Sequence, residues 1–168
     1  YENAYFFEGG KLVDGKDELV SDWGQYNTQS RKAAFFYNVR MRSNDDVIHT
    51  DTLFYDTRTS LAHVTGPSKI VSGDNVIHTA DGYFNSKTDL SQLFGRSTIV
   101  NKEKTITGDS LFHDNTTGLN EGFGNVVYKD TVNKNQLLCD HLFYNDKTGY
   151  GYATRKALMK DYSQQDTL

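Results

Sequence analysis

Along this chain, aliphatic residues alternate with polar ones in runs broken by short polar clusters. That is the period-two pattern of β-strands buried on one face, not the longer period of helices. The runs also repeat. Residues 47–56 read VIHTDTLFYD, and a shift of 29 gives VIHTADGYFN at 76–85. A second such shift gives TITGDSLFHD at 105–114. After a two-residue insertion comes QLLCDHLFYN at 136–145, and a shift backwards finds ELVSDWGQYN at 18–27. Repeats of this kind fix the architecture before any other consideration.

The turn after each run repeats as well. Asn27, Asp56, Asn85, Asp114 and Asn145 are each followed three residues later by Ser30, Thr59, Thr88, Thr117 and Thr148. An Asn or Asp that opens a turn accepts from backbone donors just ahead of it, and Ser or Thr closes it. Gly118 and Gly149 follow in two copies, as suits a residue that ends the turn in the left-handed conformation. A second strand then runs through 35–42, 64–71, 93–100, 122–129 and 153–160. The chain is expected to be one all-β domain over residues 1–168, made of about five tandem 29-residue two-strand repeats with about eleven strands. Pro67 suits an edge or a bulge.

Alternation assigns faces. In the second strand, Phe35, Val64, Leu93 and Ala153, then Met41, Ile70, Ile99, Tyr128 and Met159, point inward. Asn38, Arg96, Asn125 and Lys156, then Arg40, Lys69 and Thr98, point out. In the first strand, Leu19, Ile48, Ile77, Ile106 and Leu137 align with small residues two positions on: Ser21, Thr50, Thr79, Gly108 and Cys139. Phe54, Tyr83, Phe112 and Phe143 are expected to continue that inner face. The opposite face is not cleanly polar, since Leu53, Leu111, Leu142 and the Tyr55, Phe84 and Tyr144 column lie on it. Aliphatic columns beside small residues fit either a close-packed β core or a groove able to take acyl chains.

Composition narrows the functions. The net charge is −4 with charges interspersed, so no basic stripe for nucleic acid exists. No apolar run is long enough to span a membrane as a helix. Cys139 is the single cysteine and excludes an intramolecular disulfide. The sequence starts without Met, and both ends cut the repeat mid-unit, as in a segment of a longer chain. No catalytic motif, cofactor fingerprint or metal-ligand spacing is found, so no catalytic, cofactor or metal residue is assigned and the chain is expected not to be an enzyme. Asp22, Asp51, Asp109 and Asp140 recur with the repeat, which points to a structural carboxylate bonding nearby backbone at a strand bend. His49 and His78 share a column without a third ligand. Arg40, Arg42, Lys69 and Arg96 read as a solvated outer face.

The segment from Ile48 to Asp56, followed by Val64-Thr-Gly66-Pro-Ser-Lys-Ile-Val71, resembles the OstA/LptA-like repeat. So do Leu93-Phe-Gly95-Arg-Ser-Thr-Ile-Val100 and Gly122-Phe-Gly124-Asn125-Val126-Val127. Ala80 replaces the aspartate, Trp23-Gly24-Gln25 interrupts the first copy, and Tyr37 and Arg155 replace the glycine. The resemblance implies an open, V-shaped β-jellyroll in the periplasm that carries lipopolysaccharide toward the outer membrane. It also implies edge-to-edge pairing with like domains. The lipid-binding residues it would imply are Leu19, Ile48, Ile77, Ile106, Leu137, Phe35, Val64, Leu93, Met41, Ile70, Ile99 and Tyr128. The rival reading is a structural β-solenoid or adhesin-like module with a closed, dry core.

Overall fold

The computed structural model describes residues 2–163, and all regular structure among them is β-strand. The strands are β1 (Asn3–Phe6), β2 (Gly10–Asp14), β3 (Asp17–Ser21), β4 (Trp23–Asn27), β5 (Lys32–Ser43), β6 (Asp46–Asp56) and β7 (Leu61–Ser72). They continue as β8 (Asn75–Asn85), β9 (Leu90–Val100), β10 (Lys104–Asp114), β11 (Leu119–Asp130), β12 (Asn135–Asn145), β13 (Gly151–Thr154) and β14 (Leu158–Asp161). All pair antiparallel in one sheet. The strands number fourteen rather than eleven because the runs β1–β2, β3–β4 and β13–β14 are each broken midway, where β5 to β12 continue.

The Asx turns form where the spacing places them. Ser30 N–H donates to Asn27 Oδ1 at 2.7 Å, and the amides of Thr117 and Thr148 donate to Asp114 and Asn145 at 3.1 and 3.0 Å. The turn-ending residues Arg31, Ser60, Asp89, Gly118 and Gly149 are all left-handed.

Every long strand bends at its middle. Tyr37 and Asn38 of β5 stand opposite the single residue Asp51 of β6, and Gly66-Pro67 of β7 stand opposite Ala80 of β8. Gly124-Asn125 of β11 likewise stand opposite Asp140 of β12. These are β-bulges, which kink a strand and increase its twist. Their first residues have positive φ: Tyr37 at 63°, Gly66 at 84°, Gly95 at 70° and Gly124 at 72°. Small hydroxyl residues occupy the inside of the bend. Ser21, Thr50 and Thr79 donate to the carbonyls of Trp23, Thr52 and Asp81, two residues ahead of each. Thr50 also bonds Ser68 at 2.7 Å, and Thr79 bonds Ser97 at 2.8 Å, across adjacent strands.

Aligned bends fold the sheet onto itself. Tyr55 pairs with Ala33 at one end of β5, and Asp17 pairs with Ser43 at the other. Ten residues of extended strand would separate them by roughly 30 Å, yet Tyr55 Oη lies 2.5 Å from Asp17. The sheet therefore has two facing wings. One carries the inward aliphatic column of Leu19, Met41, Ile48 and Ile77. The other carries Phe35, Leu53, Val64 and Leu93. At the fold line, small side chains such as Ser21 and Cys139 let the wings approach.

The bend also corrects one assignment. Thr50 and Leu53 both point inward with two residues between them, so alternation restarts there. Phe54, Tyr83, Phe112 and Phe143 consequently lie on the outside or at its margin, Phe54 being 42% exposed, while Leu53, Tyr55, Phe84, Leu111, Leu142 and Tyr144 are buried. On the outer face, the rings of Phe7, Trp23, Phe36, Phe54, His63, Tyr83 and Phe94 follow one another at centroid spacings of 4.3 to 6.2 Å. Met159 is another correction: it faces the inner side but is 65% exposed, because no strand lies beyond β14 to cover it.

Bulge geometry makes opposite substitutions informative. Nothing lies within 4 Å of a Cβ added at Gly95, so Gly95→Ala should cost only the left-handed strain, about 1–2 kcal/mol. Tyr37→Gly, at an exposed bulge position with φ 63°, should stabilise by up to about 1 kcal/mol. Urea midpoints at constant slope test both signs, and equal signs would show that bulge strain is not what they read.

Candidate functional site

The twelve residues assigned to the inner columns come together in one cluster. Leu19, Ile48, Ile77, Ile106, Phe35, Val64, Leu93, Met41, Ile70 and Ile99 are between 0 and 4% exposed, and half-buried Tyr128 and Leu137 pack against them. Burying each such aliphatic side chain contributes about 1.5–3 kcal/mol. The two ends of this core differ. At the first strands, the Phe6 ring lies across the core, so close to Gly10 and Gly24 that a Cβ on either would stand 2.2 or 2.4 Å from it. At the last strands, the core opens into a cavity of about 450 Å³, lined by Tyr128, Leu137, Leu142, Tyr152, Ala153 and Met159 among others.

Where the free margins of the wings meet, the inward positions become polar. Asp17, Ser43, Asp46, Ser72 and Asn75 lie side by side along the rim of the aliphatic wing, all buried. Opposite them stand Tyr55, Phe84, His113 and Tyr144 and the Asx-turn residues. Asp17 Oδ2 accepts from Tyr55 Oη and from Ser86 Oγ, both at 2.5 Å, which clasps the two rims together. Burial, and next the Asp17 carboxylate, push the Tyr55 hydroxyl well above its ordinary range, so it stays a donor. A second clasp joins Lys104 of one rim to the Tyr144 hydroxyl of the other, with the ammonium 4.5 Å from the ring centre. Burial, reinforced by the Asp89 and Asp45 charges, holds the Asp46 carboxyl above the usual carboxylate range. Asp17 Oδ1, Ser43 Oγ and Asp89 Oδ1 are buried without a partner. This polar seam is therefore satisfied in part only, unlike the apolar core beneath it.

Between the clasps lies a gap of about 460 Å³. His113 contributes to its wall and is 0% exposed. Its Nδ1 lies 2.8 Å from Asn120 Oδ1. Burial lowers the pKa of its imidazole.

On the outer face, the recurring aspartates have a role other than the one expected. Three of the four, Asp22, Asp109 and Asp140, meet side chains across the bend and not nearby backbone. Asp22 accepts from Asn38 at 2.5 Å, Asp109 from Asn125 at 2.7 Å and Arg96 at 3.0 Å, and Asp140 faces Lys156 at 3.6 Å. Where Ala80 replaces the aspartate, Asp81 instead pairs with His63 at 2.7 Å. His49 and His78 flank Lys69 in one row. Among the described residues, no three His, Cys, Asp or Glu side chains group together as a metal site. Cys139 is buried, and burial raises its thiol pKa. Alternation along single strands missed the rim residues. Their columns were nonetheless present: Asp17, Asp46, Asn75, Lys104 and Asn135 stand two positions before the aliphatic column.

Two outcomes follow from the seam. Tyr55→Phe removes both of its bonds to Asp17 and Asp14, which should lower stability by about 1–3 kcal/mol; an unchanged denaturation midpoint would contradict the clasp. His113 binds a proton less readily in the fold than in the unfolded chain. Below about pH 6.5 the unfolded state therefore takes up more protons, and this group's share of stability falls as pH drops. The slope of stability against pH between 7 and 5 should be shallower in His113→Phe than in the parent protein, and equal slopes would refute the assignment.

No curated protein matches this sequence. Among solved structures, the chain is similar to the crystal structure of LptH from Pseudomonas aeruginosa, described as the LptA-homologous periplasmic component of the conserved lipopolysaccharide transport device. The TM-score is 0.52 at 10% identity, over 61% of this chain and 80% of that one, a likeness of fold. A family model described as OstA-like protein matches residues 1–51 and 37–109. These two segments overlap and together span well over half of the sequence, so the chain belongs to the OstA-like family.

Proposed function

We propose that this domain carries lipopolysaccharide in the periplasm as one element of a bridge toward the outer membrane, holding acyl chains between its two wings. The observation that carries the reading is the asymmetry of the core, which is capped by Phe6 at one end and open through an apolar cavity at the other. Acyl chains would enter at Tyr128 and Leu137 and lie along Leu19, Ile48, Ile77, Ile106, Phe35, Val64, Leu93, Met41, Ile70 and Ile99. Each buried methylene contributes about 0.8 kcal/mol. Because those residues are enclosed, loading requires the wings to part along the seam, whose unpartnered polar atoms make it the weaker margin. Family membership and the likeness to LptH support the assignment.

Edge strands supply the partner contacts in this reading. β1 and β2 border the sheet at one end, and β13 and β14 border it at the other. Tyr5, Phe7 and Val13 are exposed at the first edge, as are Tyr152, Leu158 and Met159 at the second. Open edges of this kind accept a strand from a like domain. Stacked head to tail, such domains would join their cores into one path.

A closed, dry core serving a structural or adhesin-like module is the second reading, favoured by the near-zero exposure of the inner columns. One substitution separates the two. Ile77→Asp places a charge in the core at a cost of several kcal/mol unless water reaches it. In a domain whose wings part, the fold should survive and lipopolysaccharide binding should be lost. A photoreactive group at Ile99 should then crosslink to the lipid in the parent protein and not in the variant. Global unfolding of Ile77→Asp, with no crosslink in the parent protein, would establish the dry core.

A further inference from the structure

We propose that the gap in the polar seam is a saccharide site, in which His113 Nε2 accepts a hydrogen bond from a sugar hydroxyl. This rests on the lipid-carrying function above, and it specifies that the carried molecule presents a hydroxylated ring at this point of the seam.

The hydrogen-bond pattern assigns the histidine's protons. Asn120 Nδ2 donates to Asp146 Oδ2 at 2.8 Å and to Gly118 O at 3.3 Å. Both partners are acceptors, so the amide nitrogen must face them and Asn120 Oδ1 must face His113. At 2.8 Å, His113 Nδ1 therefore carries the hydrogen and donates. A neutral imidazole has one N–H, so Nε2 is left with a lone pair, and it has no partner although it is buried. Burial disfavours the imidazolium, which keeps that lone pair available. His113 lines the gap, but in the closed seam its Nε2 is out of reach of solvent, so a donor reaches it once the margins part.

The wall of the gap indicates which donor. Asn115 brings an amide group, which both donates and accepts, as hydroxyls do, while Asn101 is already engaged, its Oδ1 by the Glu103 and Lys104 amides and its Nδ2 by Asn75 Oδ1. The charges balance: Lys102, Lys104 and Lys147 stand against Asp74, Glu103 and Asp146. Two of those ammonium groups are already engaged, Lys104 with the Tyr144 hydroxyl and Lys147 with the Thr116 carbonyl. An anion such as phosphate finds no excess of positive charge here, and an apolar group would leave Nε2 unpaired. A neutral polyhydroxyl ring satisfies both conditions. The volume of about 460 Å³ falls in the range of small-molecule sites. Since the gap lies in the seam above the apolar core, a ligand with chains in the core would place its polar ring there.

The test uses the whole protein with three probes: maltose, octyl glucoside below its micelle-forming concentration, and octyldimethylamine oxide, whose head has no hydrogen to donate. Nitrogen-15 NMR of the histidine side chain reads His113 Nε2 directly. Maltose and octyl glucoside should both move that resonance, and the amine oxide should not. Asn115→Ala and His113→Phe (the latter taking the ring that Phe84 has in the same column) should weaken octyl glucoside about tenfold and leave amine oxide affinity unchanged. If both amphiphiles bind alike in every variant while Nε2 stays still, the saccharide site is wrong and the carrying function stands. Should neither amphiphile bind while maltose moves Nε2, the site stands and the carrying function fails. An Nε2 already hydrogen-bonded in the free protein and unmoved by any sugar means that water fills the gap, and the proposal is overturned.

Discussion

A single-layer antiparallel sheet with one apolar face must find something to cover that face, and this chain has no helix among its described residues and no second sheet to supply it. The solution is to cover the sheet with itself. That requires every strand to bend at the same height, because one straight strand would hold the wings apart. The bulges at Tyr37, Gly66, Gly95 and Gly124 meet the requirement, each opposite one residue of the next strand. Hydroxyls inside the bend bond carbonyls that the kink turns away from the ladder. Carboxylates outside it hold the bulged residues: Asp109 bridges two bulges at once through Arg96 and Asn125, and these two partners keep its carboxyl below the usual range.

Closure by self-folding leaves a line where the sheet's two margins meet, and that line differs chemically from the fold line. The fold line is backbone held by hydrogen bonds, with small side chains that leave no room to open. At the meeting line, discrete side-chain clasps such as Asp17 with Tyr55 and Ser86 sit among buried polar atoms that lack partners. Separating the margins breaks few bonds and gives those atoms water. It also exposes apolar side chains, which an amphiphile would cover again. The structure is thus stiff at the hinge and compliant at the margin, the combination a clamp for a flexible apolar ligand requires.

Much of this was legible from spacing. The Asx turns and the left-handed residues after them follow from Asn27, Asp56, Asn85, Asp114 and Asn145, because turn chemistry is local. The aliphatic columns were legible because alternation holds within each half-strand. Beyond the bend, unbroken alternation fails: two residues separate the inward Thr50 and Leu53, so a single period puts Phe54 and its counterparts on the wrong side. A bulge adds one residue and reverses every face after it, and no periodicity extrapolated through it survives. The seam was hidden for another reason. Asp17, Tyr55 and Ser86 are neighbours only once the sheet has folded, and nothing along one strand shows what the opposite margin will bring. His113 occupies the column of Tyr55 and Tyr144, so comparing columns would have singled it out.

The aligned bends also make the domain modular in length. Successive strands lie about 4.8 Å apart, so each added hairpin extends the enclosed core by roughly 10 Å without altering its cross-section. Duplicating one hairpin therefore changes only reach, and deleting one shortens the span by the same step. The enclosed length becomes a quantity that such a protein can adjust in fixed increments, by gene-level gain or loss of a unit, while the walls of the core keep their shape.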